Sequence, residues 1–516
     1  MSPSRAFGSA LLAAVLLARP ARAAGPAVLE VRGEITSVEA ADLDGDGAQD
    51  LLVFGTRREA GARERFLAAF YRRDGRYPAR PQVEVRVPPD VVLAGVGDVL
   101  PAPGEEVLVF TPKAVWRVDL AAKAESGRFR KLADVPSFFF YGDPERVHEW
   151  DLVGDLDGDG APEVVVPAAE HALAVLRPVS GTADALVEVD RIDAPAPEAR
   201  KSRHKESGEE VTVRIGTRLA SLDLGKERAG RLFARSRRAA RPYLVDLDGD
   251  GRAELVVGAG GFRLDPAAGG RHRRALGRPD IAIGDAFPEK AVALRFEDVD
   301  GDRAPDLVYA DVKFEDQAST VIVRRGKLTA GASLSFEDAQ ELKIDGLVLD
   351  LELADVDGDG RADLVVTSYR LDLLRNLAPG AAPEAIDMTW SVFLAGAGGA
   401  PGDREATPFG RKRALGGTLS LKLGGDLAEV TPISFGADFD GDGRRDALVW
   451  DSSGRVRVQR VEKPGGLFGG DGLQLAEAPI FEASAPGAVD VAPLDVGGGA
   501  KKSALLVRYR SKLEVE

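Results

Sequence analysis

The acidic side chains of this chain recur in one spacing. Asp42, Asp44, Asp46 and Asp50 stand in DLDGDGAQD, and Asp155, Asp157, Asp159 and Glu163 stand in DLDGDGAPE. Asp246, Asp248, Asp250 and Glu254 follow in DLDGDGRAE, then Asp298, Asp300, Asp302 and Asp306 in DVDGDRAPD. Asp355, Asp357, Asp359 and Asp363 form DVDGDGRAD, and Asp438, Asp440, Asp442 and Asp446 form DFDGDGRRD. Each stretch puts carboxylates at positions 1, 3, 5 and 9, with glycine at position 4 and, save for Arg303, at position 6. Alternate carboxylates on a tight loop suit Ca²⁺, which takes about six to eight oxygen ligands, and glycine lets the backbone wrap the ion with φ > 0. Four carboxylates this close repel one another unless a cation offsets them. A set of acidic turns without metal is the plainer reading.

The twelve-residue EF-hand begins the same way but requires a glutamate at position 12 and flanking helices. Position 12 here is Val53, Val166, Val257, Tyr309, Val366 or Val449, which excludes it. The apolar run after each loop reads as a strand.

The elements that carry the loops follow from their spacing. Two eroded copies start at Asp98, which keeps only Glu106 at position 9, and at Asp495, which keeps position 1 alone. The starts at 42, 98, 155, 246, 298, 355, 438 and 495 are separated by 56, 57, 91, 52, 57, 83 and 57 residues. A period near 57 with two longer intervals means a repeated supersecondary unit with insertions around 193–240 and 390–416. The first unit contains the short apolar segments 35–41, 50–54, 65–72 and 82–87, broken by Gly, Pro and Asp. Four antiparallel strands repeated radially describe an all-β fold, a β-propeller with eight four-stranded blades. Seven is the alternative, should one eroded copy be an insertion. The segment 27–32 is placed to close the last blade and remove the free edges.

The six loops, with Phe435-Gly436-Ala437 before one and Leu255-Val256-Val257-Gly258-Ala259 after another, resemble FG-GAP/VCBS repeats. These build the propellers of integrin alpha subunits and of many exported bacterial proteins. Tyr71 to Tyr77 (YRRDGRY) looks like the turn late in such a repeat. The resemblance implies that each loop joins the first two strands of a blade and binds calcium, about six ions in all, at the 24 positions named above. The Asp98 and Asp495 loops depart from the pattern, with Leu100 and Ala102 in one and Gly497, Gly499 and Ser503 in the other, and too few oxygens remain there to hold an ion. Arg303 departs from the family's glycine.

The chain has 516 residues, 83 acidic against 68 basic, a formal charge of −15 and no cysteine. An acidic balance argues against a nucleic-acid partner. Without cysteine there is no disulfide, thiol nucleophile or bacterial lipid-attachment site. Residues 1–23 read as a signal peptide: Arg5, an apolar stretch from Phe7 to Ala18, then Ala21-Arg22-Ala23 for cleavage. The mature chain, 24–516, is then exported, to the periplasm, the cell surface or the medium. No later stretch has the roughly 18 apolar residues of a membrane helix.

Candidate chemistry beyond the loops is thin. His148, His171, His204 and His272 are scattered, and His148-Glu149 fails as a zinc motif because residue 152 is Leu. Phe138 to Tyr141 with Trp150 could stack on a sugar or pack between blades. Basic groups at 200–205, 235–241, 271–274 and 411–413 could hold an anionic ligand or be solvated loops. These observations lead to a binding or adhesion module for a protein or polysaccharide. A calcium-stabilised lyase or hydrolase acting on polysaccharide is the alternative.

Overall fold

The apolar run after each loop lacks the alternation of a half-solvated strand because it is buried on both faces. In the computed structural model Asp50–Glu59 lies between Glu34–Ala41 and Ala62–Phe70, with Val83–Val87 on the far edge, all antiparallel. Leu51, Leu52 and Val53 are wholly buried, so position 12 of the loop is a core residue. The structure describes most of residues 27–515; the longer stretches outside the description are 1–26, 138–141, 150–152, 180–183, 194–210, 223–242, 265–271, 275–279, 284–291, 330–332, 370–384, 397–406, 423–432, 464–472 and 496–502.

The same four-stranded meander recurs from Leu93–Gly97 to Phe129–Asp134, from Val153–Gly154 to Leu186–Asp193, from Leu347–Ala354 to Leu415–Lys422 and from Ile433–Ala437 to Phe481–Ser484. Between Tyr243 and Asp345 two such meanders merge into one eight-stranded sheet, because Ile281–Ile283 pairs in parallel with Ser333–Asp345. Among the described residues the sheets of four or more strands therefore number seven, and the protein is a β-propeller of seven blades, one of double width. The expected eight gives way to its alternative for a physical reason: two units share outer edges, and no loop is lost.

The ring closes as expected. Ala27–Glu30 pairs antiparallel with Lys512–Val515, completing a sheet with Asp490–Asp495 and Ser503–Arg508. Leu29 is fully buried there. Apolar clusters fill the spaces between neighbouring blades: Leu52, Leu67, Val107 and Val109 join the first two blades, and Leu29, Val53 and Phe66 join the last to the first. In the longer intervals, Val211–Ile215 pairs with Arg218–Leu222, and Phe409 is buried with its N–H and carbonyl bonded to Gln340 at 2.9 and 2.7 Å. Residues 194–210 of the expected insertion around 193–240, and the signal segment, lie outside the described residues. No helix among the described residues is long and apolar enough to cross a membrane.

First strands of successive blades touch around the axis, and polar groups stitch them together. Arg295 Nη2 lies 2.9 Å from Asp350 Oδ1. Glu352 accepts from the Phe435 N–H at 3.0 Å and from the Ser434 hydroxyl at 3.3 Å. Burial pushes the Glu352 carboxyl up to about 7, against the Phe435 hydrogen bond, and the Asp350 charge adds to the rise. Such a group favours the folded state below its unfolded pKa, and that contribution is lost as pH rises through about 7. Glu352→Gln keeps an acceptor without a charge to desolvate. Calorimetry in EDTA should find it melting above wild type at about pH 8 and no higher than wild type at about pH 5, a difference on the order of 1–3 kcal/mol; parallel pH profiles would refute this account.

Candidate metal centre

Each acidic loop joins the first and second strands of a unit. The position-1 carboxylate gathers the loop's backbone: Asp355 accepts from the N–H groups of Gly358, Asp359 and Gly360 at 2.7, 3.1 and 2.9 Å. Asp42, Asp298 and Asp438 do the same, and Asp155 binds Gly158 and Gly160. These N–H groups converge because positions 4 and 6 have positive φ, 77° at Gly358 and 83° at Gly360.

Position 9 opens the second strand. Asp50, Glu163, Glu254, Asp306, Asp363 and Asp446 are all at most 1 % exposed. Each accepts the N–H of position 2, at 3.1, 2.9, 2.7, 2.8, 2.9 and 2.7 Å in that order. Asp50, Asp306 and Asp363 also accept an N–H from the end of the third strand, from Arg72, Gly326 and Ala395. Burial is the largest cause of their raised pKa values, about 6 for Asp50, Asp363 and Asp446 and about 7 for Glu163, Glu254 and Asp306.

Ligand oxygens of Asp42, Asp44 and Asp50 lie within 4.8 Å of one another, as do those of Asp155, Asp157 and Glu163. In three loops the close set is positions 1, 3 and 5: Asp246, Asp248 and Asp250; Asp298, Asp300 and Asp302; Asp355, Asp357 and Asp359. The loop of Asp438, Asp440, Asp442 and Asp446 has the same backbone bonds. The position-5 carboxylates of Asp46 and Asp159 each bond the N–H two residues on, at 2.9 and 2.8 Å. Four buried oxygens, Asp44 Oδ1, Asp157 Oδ2, Glu163 Oε1 and Asp300 Oδ2, make no hydrogen bond. Orphaned carboxylate oxygens in an all-oxygen cluster fit a hard dication.

A basic group meets every position-3 carboxylate, and the sequence reading missed it. The pairs are Asp44 with Arg73, Asp157 with Arg177, Asp248 with Arg263, Asp300 with Arg325, Asp357 with Lys463 and Asp440 with Arg460. Four of these arginines hold one register place: each follows the third-strand residue paired with loop position 10. Those pairings are Val164↔Leu176, Leu255↔Phe262, Leu307↔Arg324 and Ala447↔Gln459.

In the eroded loop at Asp98, Leu100 at position 3 is core, yet Glu106 still accepts the N–H groups of Val99 and Leu100, both at 2.9 Å. In the Asp495 loop Ser503 stands at position 9, paired across the sheet with Asp495, and residues 496–502 lie outside the described residues. His148 Nε2 is 3.2 Å from Asp143 Oδ2, away from the acidic loops. Phe138 to Tyr141, Trp150, His171, His204 and the basic stretches at 200–205 and 235–241 lie outside the described residues.

Arg303 takes glycine's place at position 6 with φ 71°, and its N–H keeps the 2.8 Å bond to Asp298. The left-handed conformation costs a non-glycine residue about 1–2 kcal/mol. Arg303→Gly should therefore raise the melting temperature of metal-free protein, and Gly360→Arg should lower it; thermal melts of both variants check the pair, and a destabilised Arg303→Gly would contradict the strain.

Residues 298–366 match the family model described as the FG-GAP-like repeat. No curated protein matches the chain by sequence. Among solved structures, the Dos1 propeller aligns at 10 % identity over 95 % of this chain and 94 % of that one, with a TM-score of 0.40. Sqt1 from Chaetomium thermophilum aligns at 11 % identity over 95 % and 97 %, TM-score 0.44. The V. cholerae biofilm matrix protein Bap1 aligns at 11 % over 95 % and 87 %, TM-score 0.34. The chain is a β-propeller that carries an FG-GAP-like repeat.

Proposed function

We propose that this protein is an exported binding module, a propeller held in shape by calcium and presenting its loops to a protein or polysaccharide ligand. The observation that carries the metal half of this reading is the set of buried, unbonded oxygens at Asp44, Asp157, Glu163 and Asp300 inside clusters built only of carboxylates. Export is supported by the composition of residues 1–23. In the bound state the loop carboxylates would supply the ligand oxygens and the ion would offset their mutual repulsion. The binding half rests on the fold, since a rigid ring that displays loops is a scaffold for recognition.

A second reading, an enzyme acting on polysaccharide with calcium as support, draws on the neighbouring first strands. There Glu352 titrates at about 7, near Asp350 and Arg295, the range a general acid or base needs. A glycan array followed by product analysis separates the readings, binding without turnover favouring the first.

Purified protein dialysed against calcium should carry about six ions, one per intact loop, with the Asp98 and Asp495 loops contributing none. A ligand that binds only the folded state adds about 2.7 kcal/mol at a hundred times its Kd. The melting temperature should therefore fall sharply in EDTA and recover with Ca²⁺ but poorly with Mg²⁺, whose octahedral demand suits the loop badly. Identical melts in millimolar calcium and in EDTA would leave these loops as acidic turns.

A further inference from the structure

In four loops the position-3 carboxylate has its two oxygens clearly divided. One oxygen is taken by the loop itself: Oδ1 of Asp157, Asp248, Asp300 and Asp440 accepts the position-5 N–H at 3.0, 3.2, 3.2 and 3.1 Å. Oδ2 is the oxygen left without a loop hydrogen bond, and Oδ2 is what the third-strand arginine meets. Arg177 Nη2 hydrogen-bonds Asp159 Oδ2 at position 5 and stands 3.2 Å from Asp157 Oδ2, and Arg325 Nε stands 3.0 Å from Asp300 Oδ2. Neither position-3 contact has hydrogen-bond geometry, so both position-3 oxygens remain unsatisfied as acceptors although they are buried. A guanidinium and a dication within a few ångströms of one oxygen repel each other strongly.

We propose that the third-strand arginine is a tethered counter-ion, seated on the metal-facing oxygen of position 3 when the loop is empty and displaced when calcium enters. This rests on the calcium reading above. Its independent support is a comparison within the chain. All six position-3 carboxylates have a basic partner, and the loops that lack the register arginine recruit one elsewhere. Leu394 occupies the register place in the Asp355 unit, and Lys463 reaches Asp357 instead, at 3.3 Å. Tyr71 occupies it in the first unit, and Arg73 serves. In the eroded second unit, where Leu100 has replaced the carboxylate, the register place is Asp119. Among the described residues, the second unit has lost both the position-3 carboxylate and the register arginine.

A folded loop without metal then carries less net repulsion, at the expense of calcium affinity. In the double variant Arg177→Gln/Arg325→Gln, isothermal titration should find two calcium sites tightened about two- to fivefold, the range of a partly exposed ion pair, while the melting temperature in EDTA falls. Arg177→Lys, which keeps the charge, should lie between wild type and the Gln variant on both measures. Wild-type protein supplies a test free of folding defects: arginine side-chain Nε–H resonances should shift as Ca²⁺ is added. Unmoved resonances at saturating calcium, or unchanged or weaker affinity in the Gln variant, would overturn the exchange while leaving the calcium reading intact. Wild type that takes up no calcium would overturn that reading and this one with it.

Discussion

The carboxylate at position 9 is buried at the first residue of a second strand, where an unpaired charge is expensive. It is tolerated because its oxygens close the loop on itself, taking the N–H of position 2 and, in Asp50, Asp306 and Asp363, an N–H at the end of the third strand as well. The first, second and third strands of the unit are thus tied at one point. Positions 1, 3 and 5 can converge only because both ends of the loop are pinned there. The second unit supports this order of dependence. It has lost the carboxylates of positions 3 and 5, yet Glu106 keeps its backbone bonds and the blade still forms.

The loops are also in contact with one another. The Glu105 N–H donates to the Asp42 carbonyl at 2.7 Å, and the Arg445 N–H to the Asp355 carbonyl at 3.3 Å; both donors are position 8 of the following loop. Arg252 lies against the position-4 glycine of the preceding loop, Gly158, and Arg444 against Gly358. A side chain at either glycine would collide with that arginine, so position 4 is glycine both for its φ and for its neighbour. Units that meet along apolar faces and also along their acidic rims share deformations, which limits how independent the loops are.

Much of this was legible in the amino-acid order. Periodic carboxylates announced the loops, the runs after them the second strands, and the short segment 27–32 the closing strand, since each signal is local. The blade count was not, because the merger of Ile281–Ile283 with Ser333–Asp345 depends on outer edges meeting in space and leaves the loop spacing unchanged. The third-strand arginines were hidden for a related reason. Arg177, Arg263, Arg325 and Arg460 follow their position-9 residues at 14, 9, 19 and 14 residues, because the intervening hairpins differ in length. Only the pairing register aligns them.

That variable spacing bears on how the loops tolerate change. A hairpin can lengthen by several residues, as between Glu254–Val257 with Gly260–Phe262 and the long pair Asp306–Lys313 with Ala318–Thr329, and the arginine still arrives opposite position 3. The antiparallel ladder holds the place, and the turn takes up the difference. A metal ligand has no such freedom, since positions 1, 3, 5 and 9 lie on one short loop and a single inserted residue would turn them away from each other. The anionic half of the site is therefore fixed by sequence distance and its basic partner by strand register. Substitution in the loop and insertion in the hairpin act on different halves of the same cluster.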